Sequence, residues 1–322
     1  MALFWVLRDF SLDKFLSTLS GSDFRFLFVL SASIIFEQFL RSYKWSLILI
    51  PFCKANLRLL FGSIMVGYLS NYLAPVRVSP FVRGFLIAKF QKIKISTAFA
   101  SIGIDRLIDG FVFVFISVFT VYLISFPVEQ DRIQYSVLFG TLLSLTCFLL
   151  LILSINWIKK KLRKDEVPFL FAIRHLTEKW KNRIISFTKV FVESFILDGN
   201  KFNIIIIIFI AILMKFIAAS HFFWVGLSYD VSLNIWYYLF LMVFLGYLII
   251  LVGVIRITGG FTAGIIFVLQ NFGISTEKAL AMTLTLFMIS KVSVIVFGIC
   301  SAITMGLSIK SMKKIATKNM SM

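Results

Sequence analysis

The residues of this chain that could do chemistry are cations and carboxylates set inside apolar sequence. Glu37, Arg41, Lys44 and Trp45 form a first group, ending in the run RSYKW at 41–45. Glu37 precedes Arg41 by four residues, the favourable order for an acid and a base on one helix face. A charge at the centre of a bilayer carries a penalty of about 2.5–3.5 kcal/mol on insertion scales, so such residues are seldom idle. Two uses fit the group: a snorkelling ion pair beside an interfacial tryptophan, or a cationic contact for a lipid phosphate.

The second group lies in GYLSNYLAPVRVSPFVRG at 67–84. Asn71, Pro75 and Pro80 are expected to interrupt helical structure here. Arg77 and Arg83 supply guanidinium groups suited to bidentate phosphate contacts. Backbone freed by proline is tolerated in a membrane only where protein or a polar cavity receives it, so the segment is expected to line something wet. Downstream, IDRLIDG places Asp105 and Asp109 one helical turn apart with Arg106 between them. Two acids and one arginine at the entrance to a span most simply clamp neighbouring helices.

The third group is VGVIRITGGFTAG at 252–264, with Gly253, Gly259, Gly260 and Gly264 beside Thr258 and Thr262. The glycines weaken a helix and expose backbone to a ligand or a close partner. No strand precedes them, and neither GxGxxG nor GxxxxGK[ST] occurs, so a nucleotide loop is excluded in favour of a broken membrane helix. Lys215, His221 and Lys291 add cations inside apolar sequence; the histidine alone reads as a hydrogen-bonded helix contact.

The elements that must hold these residues follow from composition. The chain has 322 residues, 60% of them hydrophobic and 15% charged, with a mean hydropathy of +0.96. That leaves too little polar surface to clothe a water-soluble domain. The fold class is therefore all-α, a polytopic transmembrane helical bundle. Spans are expected at 24–40, 107–126, 136–157, 202–225, 236–255 and 281–308, each near the length that crosses a bilayer core. The stretches 57–74 and 259–273 are shorter and richer in small residues. A re-entrant hairpin is expected at 57–74 and a short or broken crossing at 259–273, giving six to eight membrane segments.

The formal net charge of +18 invites a nucleic-acid reading, but the basic residues sit between spans. The excess of cations in cytoplasmic loops explains them better. Residues 77–94, 159–183 and the tail 309–322 are assigned to the cytoplasm, and 127–134 and 226–235 to the outer face. The C-terminus is then cytoplasmic, and the location is a cell membrane. Residues 1–23 have too short an apolar core and too many charges for a signal peptide, and read as an interfacial helix. Within 159–200, Ile173, Leu176, Trp180, Ile184, Phe187, Phe191 and Phe195 recur at helical spacing against Arg174, Lys181 and Lys189. That pattern fits a basic amphipathic helix on the inner leaflet or a cap packed on the bundle. Cys53, Cys147 and Cys300 lie singly, without metal-ligand spacing. The whole chain, 1–322, reads as one integral membrane domain, and nothing in it calls for a cofactor or a metal.

Taken in order, RSYKW, GYLSNYLAPVRVSPFVRG, IDRLIDG, ITGGFTAG and NFGISTEKALAMTL resemble the lysylphosphatidylglycerol-synthase transmembrane region, also called the flippase-like integral membrane family. The resemblance covers roughly 35–300. It implies a role for Arg41 and Trp45, for Asn71, Pro75 and Arg77, for Arg83, for Asp105, Arg106 and Asp109, and for the paired Gly259 and Gly260. Ser79 and Pro80 stand where the family usually has Gly-Glu, the Glu expected after the second glycine motif is absent, Asp105 replaces a Glu, and Lys291 an Arg. The arginines that face phosphate in the family are retained.

The resemblance implies a translocase of an anionic phospholipid or a polyprenyl-phosphate-linked sugar, with membrane lipids as partners and no nucleic acid. No soluble aminoacyl-transferring domain follows 308, so lysyl-lipid synthesis by this chain alone is not expected, and it is read as a transporter and not an enzyme. A membrane glycosyl- or acyltransferase would have Asp105 and Asp109 as its candidate acid/base or metal-binding groups. A subunit of an envelope-polysaccharide complex would need a stable partner protein.

Overall fold

The computed structural model describes residues 11–73, 78–123, 131–163, 177–178, 181, 185, 201–255 and 260–307. Described residues in regular structure are helical, in the order α1 (Leu12–Ser20), α2 (Phe24–Leu49), α3 (Leu57–Leu73), α4 (Ser79–Gln91), α5 (Ile95–Leu123), α6 (Asp131–Arg163), α7 (Lys201–Leu227), α8 (Ile235–Ile255), α9 (Gly260–Asn271) and α10 (Thr276–Thr304). Several start where a short polar side chain caps the first backbone N–H groups. The Arg25 N–H donates to Asp23, that of Arg58 to Asn56, and that of Trp236 to Asn234.

The chain packs as two compact units. One comprises residues 38–111, 145–211 and 294–322; the other comprises 1–37, 112–144 and 212–293.

In the first of these, α3 and α4 pack against each other as an antiparallel pair. Gly67 and Ser70 of α3 are buried, as are Ser79, Val82, Arg83 and Leu86 of α4. Small residues let the two backbones approach closely, the usual way membrane helices bind one another. A Cβ on Gly67 would lie 2.8 Å from Arg83 Cγ and 3.0 Å from Ser79 Oγ. Asn71, in the last turn of α3, accepts a hydrogen bond from the Ser79 N–H at 2.9 Å and so joins the two helices at their shared end. Around the pair, Trp45, Ile48, Leu60, Ile64, Ile87, Ile102 and Ile207 form one apolar core, and Val66, Leu69, Val78, Val82, Leu86 and Ala302 another.

In the other unit, α8 and α9 make a second antiparallel pair. A Cβ on Gly264 would collide with Leu248, and Phe272, just after α9, packs on Tyr237 at 4.8 Å and on Phe240 at 6.2 Å. The Tyr247 hydroxyl of α8 lies 2.8 Å from Ser117 of α5 and 3.1 Å from Thr141 of α6, a polar knot among apolar helices.

One order of elements therefore occurs twice. The helices α2, α3, α4 and α5 have 26, 17, 13 and 29 residues, and α7, α8, α9 and α10 have 27, 21, 12 and 29. Each set is a long helix, a packed pair ending in a short helix, and a long helix. A residue of positive φ follows each short helix, Lys92 at 53° and Gly273 at 80°.

Two expectations change. Residues 57–73 form one unbroken helix, and the chain reverses between Leu73 and Ser79, so the hairpin is α3 with α4 and does not lie within 57–74. Pro80 does not interrupt a helix: it sits in the first turn of α4, where no intrahelical partner awaits its missing N–H. Of the six expected spans, α7 and α10 are long and apolar enough to cross a bilayer among the described residues, and α1 and α2 meet the same standard only as a pair bent by 79°. Charges explain part of this, since Asp105, Arg106 and Asp109 interrupt α5. At 1.5 Å per residue the 12 residues of α9 reach only about 18 Å, too short to cross a ~30 Å core alone.

Exposed Phe111, Phe115 and Phe119 on α5 and Met288, Val292, Ile295 and Ile299 on α10 present an apolar surface suited to lipid. Leu12, Leu16 and Leu19 are exposed along α1, which buries no residue, and this suits an interfacial helix. The basic sequence from Lys159 to Arg163 continues α6. Residues 1–10, the tail 309–322 and nearly all of 164–200 lie outside the described residues, where Lys181 pairs with Glu178 at 2.7 Å among the few that are described.

Candidate functional site

Arg41, Lys44 and Trp45 occupy positions i, i+3 and i+4 of α2 and so share one face. Ser101, Asp105 and Asp109 recur every four residues along α5 and do the same. The two stripes meet in antiparallel register. Trp45 Nε1 donates to Ser101 Oγ at 3.1 Å, Lys44 Nζ lies 2.9 Å from Asp105 Oδ1 and also pairs with Asp109, and Arg41 lies 3.6 Å from Asp109 Oδ2.

Arg83 comes to this cluster from α4. It is fully buried; its guanidinium lies over the Trp45 ring at 4.6 Å, and its Nη2 is 3.7 Å from Asp105 Oδ2. The charges form an alternating row, Arg41, Asp109, Lys44, Asp105, Arg83, with an arginine at each end.

The two kinds of cation differ in what they have left to offer. Lys44 is fully buried and held by two carboxylates, which is how a membrane protein neutralises an ammonium group at depth. Arg83 is held in place by an aromatic face, a glycine and a carboxylate, yet its Nε, Nη1 and Nη2 have no hydrogen-bond partner among the described residues. A separation of 3.7 Å is an ion pair and too long for a hydrogen bond. A guanidinium with unspent, buried donors in a planar fork is suited to two oxygens of a phosphate.

Of the residues singled out from sequence, Arg41, Trp45, Arg83, Asp105 and Asp109 come together. Asn71 lies on α3 and staples α3 to α4. Arg106 is exposed on α5 and makes no ion pair in the row. Pro75, Arg77 and Gly259 lie outside the described residues. Gly260 opens α9 and Lys291 is exposed on α10, both within the other unit. Lys44, grouped in the sequence with Arg41 and Trp45, belongs to the row as well. Gly67 and Ser101 were missed as parts of a site, and nothing in the sequence signals them. The cysteines are free: Cys147 and Cys300 are exposed, and partial burial pushes the Cys53 thiol up from its ordinary value, which disfavours the thiolate.

The sequence pattern of the lysylphosphatidylglycerol synthase TM region matches residues 1–298. This chain belongs to that family. No curated protein matches it, and no solved structure does. Membership makes the chain a membrane protein linked to lipid handling. The row from Arg41 to Arg83 lies wholly within the part that matches the lysylphosphatidylglycerol synthase TM region, and its members come from RSYKW, from 67–84 and from IDRLIDG.

Proposed function

We propose that the chain moves a lipid bearing an anionic phosphate headgroup, a phospholipid or a polyprenyl-phosphate-linked sugar, across a cell membrane. The observation that carries this reading is the buried Arg83 guanidinium whose three nitrogens make no hydrogen bond among the described residues. A phosphate supplies the oxygens this group lacks, and an ionic contact of this kind at membrane depth is strong because water does not compete for it. The helix pair α3–α4 suits a path for the headgroup, since interrupted helices line polar cavities in membrane transporters. In this reading the basic segments and the C-terminus face the cytoplasm, the spans number six to eight, and the chain catalyses no covalent step.

Native mass spectrometry of the purified protein tests the assignment. The wild type is expected to retain an anionic phosphate lipid, and Arg83→Met to retain several-fold less. Equal retention by both proteins contradicts the reading.

A second reading has its own support. Lys44 bridging Asp105 and Asp109 is what a purely structural clamp between α2 and α5 requires. Under it, Arg83→Met lowers thermal stability and leaves lipid retention unchanged.

A further inference from the structure

The histidine of α7 has a partner that the phosphate-handling row does not use. His221 Nε2 lies 4.0 Å from Glu37 Oε2 of α2, with side chains only 12% and 13% exposed. Nε2 makes no hydrogen bond among the described residues. A proton added there finds an anion already facing it.

The surrounding charges are few. On α2, Arg41 follows Glu37 by one turn. On α7 the Lys215 ammonium lies 5.6 Å from the centre of the Phe113 ring. From α8, Tyr238 packs through Phe223 at 5.7 Å, and its hydroxyl donates to the Val231 carbonyl.

We infer that Glu37 and His221 form a proton-binding site inside the membrane domain. One proton is exchanged with water and is held on Nε2 against the Glu37 carboxylate. No other atom is transferred. Ionisable pairs at membrane depth commonly mark proton relays. If the chain moves lipid as proposed above, proton binding here is the step that couples this movement to a proton gradient. That coupling rests on the proposed function; the proton site itself does not.

The chain has two histidines, so His175→Gln leaves His221 as the sole one. In this variant of the full chain, labelled with ¹⁵N-histidine and placed in lipid nanodiscs, NMR reads the ring directly. His221 is expected to titrate in one step. Adding Glu37→Gln should move the midpoint down by about one pH unit or more, the usual effect of removing an opposite charge at this range. Glu37→Asp should keep most of the original midpoint, and serves as the comparison if Glu37→Gln does not fold. A ring that stays neutral throughout, or a midpoint indifferent to Glu37, overturns the site. In vesicles, a pH gradient should speed movement of a fluorescent anionic phospholipid several-fold with the wild type and not with Glu37→Gln. Lipid movement that ignores the gradient overturns the coupling and leaves lipid movement standing. Absence of any lipid movement defeats the proposed function, and the NMR titration still decides the proton site.

Discussion

Gly67 and Arg83 meet so closely that a single methyl group on Gly67 would lie 2.8 Å from Arg83 Cγ. A glycine in α3 thus sets where the one fully buried arginine of the ionic row can sit. Gly67→Ala is expected to destabilise the protein by about 1–3 kcal/mol, the usual effect of overpacking, and Gly67→Leu by more. Gly110→Ala is the control: no atom outside its own helix lies within 4 Å, so stability should be unchanged or raised. Thermal unfolding in one detergent compares the three.

Lys44 is the hinge of the ionic row, because two carboxylates depend on it. Lys44→Met should cost about 3–5 kcal/mol, since it strands buried acids. Asp105→Asn in the same background should recover part of the loss. A double-mutant cycle read by chemical unfolding checks the sign of this coupling.

Trp45 is fixed by its indole N–H on Ser101. Trp45→Phe and Ser101→Ala should each cost about 1 kcal/mol. The double variant should lose no more than the larger single loss plus a few tenths, because both remove the same bond. Additive losses would show that the bond contributes nothing.

Tyr247 bonds Ser117 of α5 and Thr141 of α6 and packs on the Phe113 ring at 5.1 Å. Tyr247→Phe keeps the ring and removes the knot. The expected loss is about 0.6–2 kcal/mol, in line with hydrogen bonds between membrane helices. Thermal unfolding of the variant measures it.

Much of the helical order could be read from sequence, and the reason differs along the chain. α7 and α10 are long, apolar runs, and their bounds fall within a few residues of expectation. The α3–α4 hairpin was expected from the short run rich in small residues at 57–74 but was placed one helix too early. Pro80 was read as a break when its position in a first turn makes it a start. The twofold recurrence of the element order left no trace in the motifs: one copy carries Lys44, Asp105 and Arg83, the other Lys215, His221 and Lys291. At the site, Asp105 and Asp109 announced a clamp by their spacing. That Lys44 is their partner was hidden, because nothing in a sequence says that α2 and α5 run antiparallel with Trp45 level with Ser101.

The central claim is that Arg83 contacts the phosphate of a moving lipid. Transbilayer movement of fluorescent phosphatidylglycerol and phosphatidylcholine, measured side by side in vesicles containing the purified protein, tests it most directly. Arg83→Lys keeps the charge and loses the planar fork. The account predicts that the wild type moves the anionic lipid faster than the neutral one and that Arg83→Lys, folded to the same extent, loses that preference by about tenfold or more, the equivalent of roughly 1.4 kcal/mol. Equal movement of both lipids by the wild type, or an undiminished preference in Arg83→Lys, would contradict it.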